Sequence, residues 1–159
     1  MTVLLTETLP ELYLRDETAW LDLMAETARD GRVTELDLQN LAEYLSDMAT
    51  RDRREVNSRL VVLLAHHLKW DYQPEKRSRS WRTTLIVQQY ELIDWAASGV
   101  LRNHAESMLP EVYERAVKEA ASETSLPIKT FPAVCPYTIE QLLNEEIHSD
   151  EPLEESSES

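Results

Sequence analysis

Apolar residues recur along this 159-residue chain at intervals of three and four, the period of one helix face. Leu9, Leu12, Tyr13, Trp20, Leu23 and Met24 collect on one side and predict a first helix over residues 9–29. Thr6 or Thr8 can cap it, Pro10 suits its first turn, and Gly31 offers a left-handed stop after Asp30. A second amphipathic stripe starts near Asp37 with Leu38, Leu41, Ala42, Leu45 and Met48. It pauses at Arg51, Asp52, Arg53 and Arg54, then resumes with Val56, Leu60, Leu63, Leu64 and Leu68. The pattern allows one long helix, or two broken near Ala49 and Thr50 with Thr50 capping the second. Residues 61–68 are apolar almost all round, which marks a central helix.

A loop over 71–78 follows, because Pro74 bars continued helix. Ser78 or Ser80 caps the next helix. Trp81, Leu85, Gln88, Leu92 and Trp95 form its inner face, Ile86, Tyr90, Ile93 and Ala97 widen it, and Gly99 is the expected stop. Residues 100–124 are helical again, with Pro110 either kinking the helix or opening a new one, and with Leu109, Tyr113, Ala116, Val117 and Ala120 facing inward. Pro127, Pro132 and Pro136 predict an extended, packed loop over 126–137. Thr138 and Gln141 form a capping-box pair for a last helix over 139–147. The expectation is an all-α, single-domain bundle of five or six helices over residues 1–148, with a disordered acidic tail over 149–159.

Composition narrows the chemistry. Two glycines, Gly31 and Gly99, are too few for a dinucleotide fingerprint, a P-loop or a many-hairpinned sandwich. The single cysteine, Cys135, excludes an intramolecular disulfide and any multi-cysteine cluster within one chain. No apolar run approaches a membrane span, and the first residues lack a basic leader, so a soluble cytoplasmic protein without membrane attachment is expected.

Three stretches, LDLQNLAEYLSDM, SRLVVLLAHHLKWDYQPEKRSRSWRTTL and AASETSLP with FPAVCPYTIEQLLNEE, resemble the domain-of-unknown-function family 29. The similarity spreads over about residues 12–146, and the LKW-x-YQP-x-x-RSRSW and CPYT-x-EQLL elements are its specific part. The resemblance implies a helical fold and an origin in bacteria, cyanobacteria among them, but no activity. Where the family pattern leads one to expect a glycine after LAEYLSDM, this chain has Ala49 and Thr50, which favours the continuous helix.

Charge changes the picture again. Acidic residues number 30 against 16 basic, a net charge of −14. Between Thr50 and Arg82, however, nine cations face four carboxylates. Trp70, Tyr72, Lys76, Arg77, Arg79, Trp81 and Arg82 interleave aromatic faces with cations, a mixture suited to single-stranded nucleic acid, a phosphate ligand or a protein partner. The structural alternative is a set of internal ion pairs and core tryptophans, with Asp47–Arg51, Glu55–Arg59 and Glu75–Arg79 at helical spacing.

His66 and His67 diverge by about 100° on a helix and do not chelate one ion together. His67 and Asp71, four apart, can orient an imidazole for proton transfer or simply satisfy a helix end. Cys135 lies just before a helix start and is either a weakly activated thiol or a buried small residue. The clusters Glu35, Asp37, Glu43 and Glu145, Glu146, Asp150, Glu151 match no calcium-loop spacing and read as solvated surface. No catalytic set, metal site or cofactor is predicted. The leading functional reading is a helical protein-interaction module, an adaptor or an antitoxin-like neutralising partner, with a protein partner or a second copy of the chain forming a homodimer. Nucleic-acid or phosphate binding through 69–82 is the alternative, and a small enzyme using His67 and Asp71 the third.

Overall fold

Thr8 opens the first helix of the computed structural model, which describes residues 7–147. Its hydroxyl accepts from the Glu11 amide while Glu11 returns a bond to the Thr8 amide, and α1 runs over Leu9–Arg15. The single long helix expected over 9–29 is divided. Asp16 leaves helical geometry (φ −148°, ψ 86°), and its carboxylate accepts the Ala19 amide at 3.0 Å, so that α2 starts afresh as Glu17–Arg29. Gly31 then takes φ +70°, the left-handed stop that its position requires.

α3 spans Leu38–Tyr72 without interruption. The Thr50 hydroxyl does not cap a second helix. It donates to the Ser46 carbonyl one turn back at 3.0 Å, a bond that leaves the helical ladder intact. After a 3-10 turn at Pro74–Lys76, Ser78 caps α4, Arg79–Ala96, by accepting the Trp81 amide. Gly99 is not a stop: Ser98 caps the next helix and Gly99 is its first residue. α5, Gly99–Thr124, carries Pro110 within it and ends at Ser125 in the left-handed region, φ 58°. The Thr138–Gln141 capping box forms as the sequence predicts and opens α6, Ile139–Asn144, shorter than the expected 139–147. Among the described residues there are six α-helices and no strand, an all-α architecture. The acidic tail over 149–159 lies outside the described residues.

The chain divides into two compact units at Arg51/Asp52. The first is organised on Trp20, fully buried, whose ring meets Tyr13 at 4.7 Å and Tyr44 at 6.2 Å. The Trp20 indole N–H donates to Asp37 Oδ2 at 3.2 Å, and Asp37 also receives the Asn40 amide, which fixes the start of α3. Leu38, Leu45 and Met48 of the predicted stripe are exposed rather than core.

The second unit holds the larger core. Leu60, Leu63, Leu64 and Leu68 of α3 pack with Leu85 and Leu92 of α4, with Val112, Ala116 and Ala120 of α5, and with Ile139 and Leu142 of α6. The all-round apolar pattern of 61–68 is met on every side here. On α4 only Leu85 and Leu92 are fully buried. Ile86, Tyr90, Ile93 and Ala97, expected to widen the inner face, lie outside it. None of the described helices is long and apolar enough to cross a membrane.

Candidate functional site

The end of α3 carries three polar side chains into the edge of this core. His66 Nδ1 donates to the Val62 carbonyl at 2.8 Å, since a carbonyl can only accept. Its Nε2 therefore accepts, and the Lys69 ammonium lies 3.4 Å away. Lys69 is buried, ion-paired with Glu123 of α5, and sits 4.9 Å from the centroid of the Trp81 ring. Burial, before the nearby Lys69 charge, pushes the His66 pKa down.

His67 points the other way. Its ring is 5.2 Å from that of Tyr137, and the Tyr137 hydroxyl donates to Asp71 Oδ2. The residue is 8 % exposed, yet its Nε2 is buried without a hydrogen-bond partner. Desolvation lowers the His67 pKa, and the carboxylates of Asp71 and Glu145 oppose it. Burial likewise pushes the Tyr137 phenol well up, and the hydrogen bond to Asp71 adds to it. The described partner of Asp71 is thus Tyr137, and no bond to it orients the imidazole.

These groups line a cavity of about 310 Å³ with Trp70, Arg77, Leu85, Glu145, Glu146 and Ile147. Leu85, Ile147 and the Trp70 ring form its apolar wall. Arg77 enters it from the turn before α4: its Nε donates to the Trp70 carbonyl at 2.9 Å, and its guanidinium stacks 4.8 Å from the Trp70 ring. Among the described residues Arg77 forms no ion pair with the carboxylates of this cavity. A wider hollow of about 600 Å³ lies against α5, lined by Val117, Ile128, Phe131 and Pro132. In its lining the Tyr113 hydroxyl donates to the Pro132 carbonyl at 2.6 Å, and burial pushes its pKa up to about 12.

The basic aromatic segment is therefore divided in its use. Lys69, Arg77 and Arg82 are turned onto the tryptophans, Arg82 lying 5.7 Å from the Trp70 ring. Lys76 and Arg79 are exposed, and Tyr72 sets its ring edge against Phe131 at 5.6 Å. Glu55 pairs with Arg59 as its spacing predicts, whereas Arg51 lies against the Met48 sulfur at 3.7 Å. Cys135 is half-buried and donates to the Tyr137 carbonyl at 3.3 Å. Burial raises its pKa, which opposes thiolate formation. No group of described residues is arranged to hold a metal ion. Tyr137 and Glu123 were missed as site residues by spacing alone, since each reaches its partner from more than fifty positions away.

One further surface stands out on α4. Ile86, Val87, Tyr90 and Ile93 are exposed by 36, 46, 72 and 45 %, and Ile86, Tyr90 and Ile93 repeat at helical spacing on the outer face. Glu91 and Asp94, also exposed, flank it.

Fold and site together define an all-α protein with a polar cavity beside the end of its central helix. The chain belongs to the DUF29 family, a domain of unknown function, whose model matches residues 12–148. No curated protein and no solved structure matches it.

Proposed function

We propose that the chain is a protein-docking module whose α4 outer face receives a basic amphipathic helix. The observation that carries this reading is the stripe Ile86, Tyr90, Ile93, with Val87 beside it, left in water along one helix. Three large apolar side chains aligned on a surface helix, with a fourth beside them, mark an interaction site rather than scattered exposure. A helix laid in such a stripe reads i, i+4, i+7 anchors. The exposed Asp94 carboxylate beside the stripe, and the chain's net charge of −14, favour a partner with Lys or Arg around its own apolar face, whereas Glu91 already lies 3.9 Å from the Arg59 guanidinium.

Other readings have less support. Nucleic-acid binding would draw on the cations of 69–82, but Lys69 is committed to Glu123 and the Trp81 ring, and Arg77 and Arg82 are drawn onto the Trp70 ring rather than spread over an open surface. A hydrolase using His67 and Asp71 lacks the hydrogen bond that would orient its base.

The reading is tested by purifying the tagged chain from cells that naturally make it, beside the variant Ile86→Asp/Ile93→Asp. The expected result is a basic protein recovered in near-equimolar amount with the parent chain and lost with the variant. Recovery of the chain alone, of a dimer of the chain, or of the same partner by both forms would overturn it.

A further inference from the structure

We infer that the cavity at the end of α3 is a binding site for a small zwitterion, an aliphatic α-amino acid in its ordinary charged form. The proposal is independent of the docking face, which lies on the outer side of α4 and shares no residue with the cavity.

His67 lines the cavity and carries an unsatisfied polar atom just behind that lining. His67 Nε2 is buried, has no hydrogen-bond partner and belongs to a residue that is more than nine-tenths buried. Leaving such a group without a partner is unfavourable, and a turn of the ring toward a bound hydrogen-bonding group would remove that cost. Desolvation keeps this imidazole neutral, so it can bond a ligand without adding charge.

The rest of the lining states what the ligand carries. Arg77 presents a guanidinium, the group whose fork matches a carboxylate. Its Nε is held by the Trp70 carbonyl and its plane by the Trp70 ring, so the remaining N–H groups are presented in a fixed direction. Asp71, Glu145 and Glu146 line the same cavity and give it a negative balance against the one guanidinium. An anion alone would meet three carboxylates, and a cation alone would meet Arg77. A molecule bearing both charges a few ångströms apart satisfies both. Its ammonium would lie toward Glu145 and Glu146, because Asp71 already accepts from Tyr137. Leu85 and Ile147 then leave an apolar wall for an aliphatic side chain. A volume of about 310 Å³ is at the lower end for ligand pockets and suits a molecule of this size.

The test is calorimetric titration of the full chain with L-leucine and with its two half-charged relatives, isopentylamine and 4-methylpentanoate. L-leucine is expected to bind at least tenfold more tightly than either relative. Arg77→Gln should weaken L-leucine at least tenfold while leaving isopentylamine unchanged or tighter. Because Arg77 also packs on Trp70, the exposed pair Glu145→Gln/Glu146→Gln provides a second variant, expected to lose L-leucine and retain 4-methylpentanoate. Equal binding of all three probes, no heat from L-leucine up to millimolar concentration, or variants that bind it as the parent does would each overturn the proposal. The Ile86→Asp/Ile93→Asp variant should bind L-leucine normally, which separates failure of this site from failure of the docking face.

Discussion

The Tyr137 hydroxyl donates to the carboxylate of Asp71, while its ring lies 5.2 Å from that of His67. A single residue from the segment before α6 therefore meets two side chains one turn apart at the end of α3. The contact closes one wall of the polar cavity, and it takes from His67 the acidic partner that its spacing suggests.

The two halves of that contact separate by mutation. Tyr137→Phe keeps the ring on His67 and gives Asp71, which is exposed, back to water, so it should cost about 1 kcal/mol. Tyr137→Ala also removes the ring and should cost roughly 2 kcal/mol more. Chemical denaturation of the three forms checks the order. Equal losses would mean that the hydroxyl, not the ring, carries the contact.

Lys69 and Glu123 are an unequal pair, with Lys69 buried and the Glu123 side chain 44 % exposed. Lys69→Met keeps the apolar stem and frees a carboxylate that water can reach, so it should cost about 1 kcal/mol or less. Glu123→Ala leaves a buried ammonium against only the His66 ring nitrogen and the Trp81 face, and should cost about 3 kcal/mol. Denaturant midpoints with unchanged slopes would establish the asymmetry, and the reverse order would refute it.

Burial lowers the pKa of both His66 and His67 in the folded chain from 6.5. The unfolded chain therefore binds protons more readily near that pH. The stability these two groups contribute is complete above 6.5 and is lost as pH falls through their lower folded values. Comparing unfolding at pH 7.5 and 5.5, His67→Gln should lose less stability than the parent. A variant that loses as much as the parent would remove His67 from this account.

Two turn positions make opposite predictions. Gly31 sits at φ +70° with nothing within 4 Å of the place a β-carbon would occupy, so Gly31→Ala should cost about 1 kcal/mol from backbone strain alone. Ser125 adopts φ 58°, and Ser125→Gly should relieve strain and stabilise by about 0.5–1 kcal/mol. Thermal unfolding of both variants checks the signs.

The helices were legible in the sequence where a cap spoke alone, as at the Thr138–Gln141 pair, and legible to within two residues at Thr8 and Ser78, where Thr6 and Ser80 were equal candidates. The departures came where two signals competed. Asp16 carries a capping side chain inside an otherwise helical period, and the cap prevailed. Gly99 has the composition of a stop, but Ser98 before it is a cap, so the glycine begins a helix instead. Periodicity also could not say which apolar face is covered. Leu85 and Leu92 are buried whereas Ile86, Tyr90 and Ile93 on the same helix are not, because burial depends on which neighbours arrive. The site was half legible for a related reason. His67, Asp71 and Arg77 lie close in sequence, while Tyr137, Glu145 and Glu146 reach them only through the fold.

The docking face is tested most directly by nuclear magnetic resonance on the isotopically labelled chain, titrated at physiological salt with a 20-residue helical peptide carrying one leucine stripe flanked by lysines. Amide shifts should concentrate within residues 83–97 around Ile86, Tyr90 and Ile93, and should vanish in Ile86→Asp/Ile93→Asp. Shifts spread evenly over the acidic surface, or unchanged in that variant, would contradict α4 as the docking helix.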